Sequence, residues 1–91
     1  MVPSADELIN QYIEPGSDDA SPADARVVYS GVHVWALVGY LRANGNDVAA
    51  AAADYDLPVE SVNAALLYYD RHRAVIDARL ALHSAFFAMA T

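Results

Sequence analysis

The chain contains no cysteine, which excludes disulfides, thiol nucleophiles and cysteine-ligated zinc together. It also lacks lysine, so its five fixed cations are all arginines, set against twelve acids and a net charge of -7. That balance withholds the broad basic field by which nucleic-acid binders attract phosphate. No apolar run reaches the roughly 20 residues that a membrane helix requires. The first ten residues carry Asp6 and Glu7, with neither a basic start nor an apolar stretch, which argues against a secretory signal and for a cytoplasmic location. Glycine and proline are scarce, at four each, so the places where they fall punctuate the chain strongly.

What is present fits one small domain. Hydrophobic residues reach 56% of the 91 positions, but alanine supplies much of that share and buries little area, so the core must rest on few large side chains. The acids are unevenly spread. Asp6, Glu7, Glu14, Asp18, Asp19 and Asp24 precede the first arginine, whereas from Arg26 onward six acids face five arginines. This divides the chain into an acidic N-terminal helix and linker over 1–25 and a nearly neutral domain over 26–91.

Ser4-Ala5-Asp6-Glu7 has the form of a capping box, and Leu8, Ile9, Tyr12 and Ile13 follow at helical spacing, so a short amphipathic helix is expected before Pro15-Gly16. Residues 16–24 read as a solvated linker. Two β-branched runs, Arg26 to Tyr29 and Val32 to Val34, flank Ser30-Gly31 and predict a small hairpin. Val34, Leu37, Val38 and Leu41 then form the inward stripe of a helix that Asn44-Gly45 ends. Asn46 or Asp47 caps an alanine-rich helix, the break falls at Asp54-Tyr55-Asp56-Leu57, and Pro58 opens a longer helix with Val59, Val62, Leu66 and Tyr69 facing inward. Short helix, tight break and second helix make a helix-turn-helix. Without glycine or proline the helical pattern runs on towards Met89, where Val75, Leu82, Phe86 and Met89 form one apolar stripe and Ile76, Leu80 and Phe87 another. Two adjoining stripes exceed what one core face needs, so a second chain is expected there.

The segment Ser30-Gly31-Val32-His33-Val34-Trp35, the run Asn46-Asp47-Val48 with Asp54-Tyr55-Asp56-Leu57-Pro58, and the run Val62-Asn63-Ala64-Ala65-Leu66-Leu67-Tyr68-Tyr69 with Ile76-Asp77 together resemble the prokaryotic domain of unknown function family 433. The likeness spans about Val27 to Arg79. It implies a mainly α, winged-helix-like helix-turn-helix fold with a small N-terminal β-hairpin and a long C-terminal helix. It further implies the antitoxin half of a toxin-antitoxin pair whose toxin is a PIN-like ribonuclease. The family often opens on a basic Gly-Lys-Pro-x-Ile-x-Gly-Thr-Arg segment, where this chain has Ala25-Arg26-Val27-Val28-Tyr29-Ser30-Gly31-Val32-His33.

The candidate contacts follow from these readings. On the helix after Pro58, the positions Glu60, Ser61, Asn63 and Ala64 point away from the apolar stripe, and Asn63 alone suits base-edge recognition. Arg71, Arg73 and Arg79, with His72 among them, form the basic cluster. Three readings apply: a phosphate-contacting stripe, pairing of Arg71 and Arg73 with Asp70 and Asp77, or docking of the acidic N-terminal segment across the cluster. Tyr69 is assigned to the core and Tyr68 to the surface. His33, His72 and His83 share no ligand spacing, so no metal site is expected. Ser30 and Ser61 have no histidine base placed beside them, and no enzyme activity, cofactor or small-molecule substrate is expected. The partner-binding residues expected are Leu8, Tyr12 and Ile13 at one end and Leu82, Phe86 and Phe87 at the other. The alternative is a stand-alone dimeric DNA-binding regulator.

Overall fold

The computed structural model describes residues 3–15 and 21–90, and for 84–90 the helical backbone alone. Among these residues the protein is mainly helical, with five α-helices and one two-stranded antiparallel sheet. Helix α1, Ala5–Tyr12, starts where Ser4 accepts a hydrogen bond from the Glu7 amide at 3.2 Å. It stops one residue earlier than its apolar spacing suggests. Ile13 and Glu14 instead form strand β1, which pairs antiparallel with β2, Arg26–Val27, matching Ile13 to Val27 and Glu14 to Arg26. The expected hairpin is reduced to a single bridge, Arg26 to His33, closed by the Val27 amide on the Val32 carbonyl at 2.7 Å. A peptide pairing reached from outside the hairpin supplies the sheet, and local sequence alone does not disclose such a partner.

Ser21–Asp24 is not the solvated linker that its composition suggests. Pro22–Asp24 forms a 3-10 turn capped by the Ser21 hydroxyl, and Ala23 and Ala25 are buried. Helix α2, Val34–Ala43, buries its expected stripe of Val34, Leu37, Val38 and Leu41. Asp47 caps α3, Val48–Tyr55, by accepting from the Ala50 amide at 3.0 Å. The helix runs on through Tyr55 to a left-handed Asp56, and the Leu57 amide returns to the Ala52 carbonyl at 2.8 Å. Pro58 is the N-cap of α4, Val59–Arg71, rather than its first residue.

Helix α4 is turned relative to the expected stripe. Ser61, Val62, Ala64, Ala65 and Tyr68 are buried, while Val59 is 44% exposed and Leu66 and Tyr69 are half-buried. Ala64 and Ser61 therefore face inward, and Tyr68, expected on the surface, is buried, while Tyr69 packs against the core half-buried. The cause is close packing: α1 and α2 both rest on α4, and small residues let those backbones approach. An apolar stripe weighted by side-chain size overlooks such positions. His72, with φ -127° and ψ 36°, breaks the chain between α4 and α5, Arg73–Ala90. Helix α5 then packs on α2 and the 3-10 turn, burying Ile76 completely and setting Leu80 beside Gly39. Burial of Ile76 accounts for a bend that no glycine or proline announces.

Candidate protein-interaction surface

The expected contact residues fall into four groups. Ile13 is 4% exposed and lies in the core with Val27 and Leu37, so it has no surface to offer a partner. Strand pairing with Val27 turned it inward. Leu8 and Tyr12 are half-buried and lean on the same core from α1. Leu82 is 67% exposed on α5, and Val75 is exposed on the same helix. The two apolar stripes of the tail thus part company: Ile76 and Leu80 turn to the core, while Val75 and Leu82 face solvent. Phe86 and Phe87 lie outside the residues whose side chains are described. Among the described residues, the apolar groups at the two ends sit mainly on different supports, α1 on α4 and α5 on α2.

Asn63 stands exposed on α4, with Glu60 and Asp70 on the accessible part of the same helix. The arginines nearby are each engaged by a carboxylate. Arg71 meets Asp6 of α1 at 2.5 Å, Arg79 meets Asp24 of the 3-10 turn at 2.9 Å, and Arg73 pairs with Asp70 one helical turn away. Asp77 does not join Arg73. It accepts from the Tyr69 hydroxyl at 2.7 Å and pairs with Arg42 of α2, whose guanidinium also lies over the Tyr69 ring. The hydroxyl of Tyr69 and the guanidinium of Arg42 hold the Asp77 carboxyl below its usual range. Arg79 does the same for Asp24. Acids from the N-terminal part thus reach across the basic cluster and hold two of its three arginines.

Two features escaped the sequence reading. Trp35 is flanked by His33, with ring centroids 5.6 Å apart, and by His83, at 4.5 Å, and its indole nitrogen is buried without a hydrogen-bond partner among the described residues. Burial and the neighbouring Arg26 charge hold the His33 imidazole below its ordinary value, against the opposing pull of Asp24. Separation in sequence hid this grouping, because α5 must return along α2 to bring His83 near Trp35. The second feature is a cleft of about 710 Å³ between the end of α1, the turn at 28–32 and the α3–α4 break. Tyr12, Tyr29 and Tyr55 line it, with Asp56 and Ser61. On the far side of the break, the Tyr40 hydroxyl donates to Asp54, which pushes the Tyr40 hydroxyl up to about 12, and its ring meets Tyr55 edge-on.

No family model, curated protein or solved structure matched this chain. No described helix is long and apolar enough to cross a membrane.

Proposed function

We propose that this protein is an antitoxin-like binding module, one that works by covering a basic or RNA-binding cleft on a partner of the PIN-like ribonuclease type. The observation that carries the reading is the state of its arginines. Arg71, Arg73 and Arg79 are each occupied by a carboxylate of the same chain, which leaves an acidic outer surface suited to a basic protein and poorly suited to phosphate. Exposed Leu82 and Val75 on α5 add apolar area of the kind that a partner covers. The winged-helix-like assignment and the likeness to domain of unknown function family 433 belong to this same proposal. Under it, the protein inhibits by steric exclusion and performs no catalysis of its own.

The test is co-expression with the product of the adjacent reading frame, followed by purification through one tagged chain and a ribonuclease assay. A stoichiometric complex with suppressed ribonuclease activity is expected. Independent elution of two proteins, with undiminished cleavage, would overturn the reading. The second reading, a dimeric DNA-binding regulator, draws on the α3–break–α4 unit as a helix-turn-helix and on the exposed Asn63. It requires a complex with the chain's own upstream DNA that weakens steeply with salt and is lost on Asn63→Ala.

A further inference from the structure

The cleft between α1 and the α3–α4 break has the chemistry of a cation site. We propose that it receives an arginine side chain projecting from a basic partner protein, held by the faces of Tyr12, Tyr29 and Tyr55 and by the Asp56 carboxylate. The inference rests on the preceding reading only in taking the partner to be a protein with a basic surface.

The support comes from the walls, the aromatic lining and the charge. The walls are fixed by backbone bonds: the Val28 amide to the Tyr12 carbonyl at 2.8 Å, the Gly31 amide to the Val27 carbonyl at 3.1 Å, and the Leu57 amide to the Ala52 carbonyl at 2.8 Å. A site so held loses little freedom on binding. Three tyrosines line the space, and aromatic faces attract guanidinium groups through their negative quadrupole. Tyr29 is the most telling of them. It is fully exposed, with a φ of 69°, and stands at the tip of a turn tied down by the Ser30 hydroxyl. A tyrosine in the left-handed region costs free energy that no interior contact of this ring returns, and strain of this kind collects at ligand clamps.

The remaining observations concern charge. Asp56 is exposed in the same lining and forms no salt bridge among the described residues. No arginine lines the cleft, and the chain has no lysine, so the cation must be brought from outside. Ser61, only 2% exposed, and Gln11 add polar groups to the same lining. The volume falls in the range of well-formed ligand sites and accommodates an arginine with the backbone on either side of it. A neutral apolar peptide would leave Asp56 unanswered, and an anionic one would be repelled by it.

The site is tested by titrating the full chain, labelled for amide NMR, with acetyl-Gly-Arg-Gly-amide and with the same peptide carrying citrulline, which keeps the shape and removes the charge. Saturable shifts confined to residues 11–12, 28–32 and 55–61 are expected with arginine, and binding about tenfold weaker with citrulline. Tyr29→Ala and Asp56→Asn should each weaken the arginine peptide several-fold; neither residue is buried, and asparagine tolerates the left-handed backbone. Equal response to the two peptides, shifts spread over the whole acidic surface, or indifference to both variants would each overturn the site. Failure of the nuclease complex to form would leave this titration unchanged, so the two claims fail separately.

Discussion

His33 is half-buried, and that burial shifts its titration. It caps no helix through its side chain, sits against Trp35, and is held below its ordinary value of 6.5 by burial and by Arg26. A histidine with a lowered folded value takes up its proton at higher pH when unfolded. Stability is therefore fully present above about 6.5 and declines as pH falls through that point towards the folded value. Asp24 and Asp77, lowered from 3.8 by Arg79 and by Tyr69 with Arg42, add a second loss below that value. The melting temperature should fall in two stages on acidification, and His33→Asn should flatten the first stage while sparing the second. Trp35, the chain's sole tryptophan, reports the event by fluorescence, with His83→Asn as the control for its other flank. An unchanged first stage in the His33 variant would assign that loss elsewhere. Ala64 gives the complementary prediction. It is completely buried on α4, so Ala64→Leu should destabilise the protein by about 1–3 kcal/mol in urea unfolding.

At the scale of elements, legibility followed side-chain size and sequence distance. The stripe of α2 was readable because Val34, Leu37, Val38 and Leu41 are large and adjacent, and the caps Ser4 and Asp47 were readable because capping is local. The face of α4 was not, because its contacts are made by Ser61, Ala64 and Ala65. Pairing of β1 with β2 was hidden by residues 15–25, which separate Glu14 from its partner Arg26. Of the expected contact residues, Leu82 lies on the surface, whereas Ile13 was lost to that unforeseen strand. For the arginines, the sequence offered Asp70 or Asp77 to Arg73, and Asp70 takes it; it offered docking of the acidic N-terminal segment only as a whole, and the tertiary fold selects the pairs Asp6 with Arg71 and Asp24 with Arg79. Helix α5 shows how one element divides its duties. Ile76→Ala removes a completely buried side chain and should cost about 2–5 kcal/mol, and hydrogen exchange should show residues 76–83 losing protection before α1 through α4. Leu82→Ser should leave stability within about 0.5 kcal/mol and weaken association with a partner or a second copy, as sedimentation would reveal.

For the molecule as a whole, the decisive property is how its charge is deployed. Each ion pair across the basic cluster is partly exposed, so it adds little to folding and is screened by salt. The consequence for ligands is larger than the consequence for stability. A phosphate seeking Arg71 or Arg79 must displace Asp6 or Asp24, and those carboxylates stay beside it after displacement. Asp6→Asn combined with Asp24→Asn frees both guanidinium groups and moves the net charge from -7 to -5. Wild-type protein should bind a generic DNA duplex weakly even at low salt. The double variant should bind more tightly, with a salt dependence steepened by about two units in log-log slope, one for each phosphate newly neutralised. Fluorescence anisotropy across a salt series measures both quantities together. If affinity and slope remain at the wild-type level while the variant stays folded, the carboxylates are not what keeps phosphate away from this surface. Tightening with the expected slope would show that the acidic N-terminal part holds the basic cluster in check.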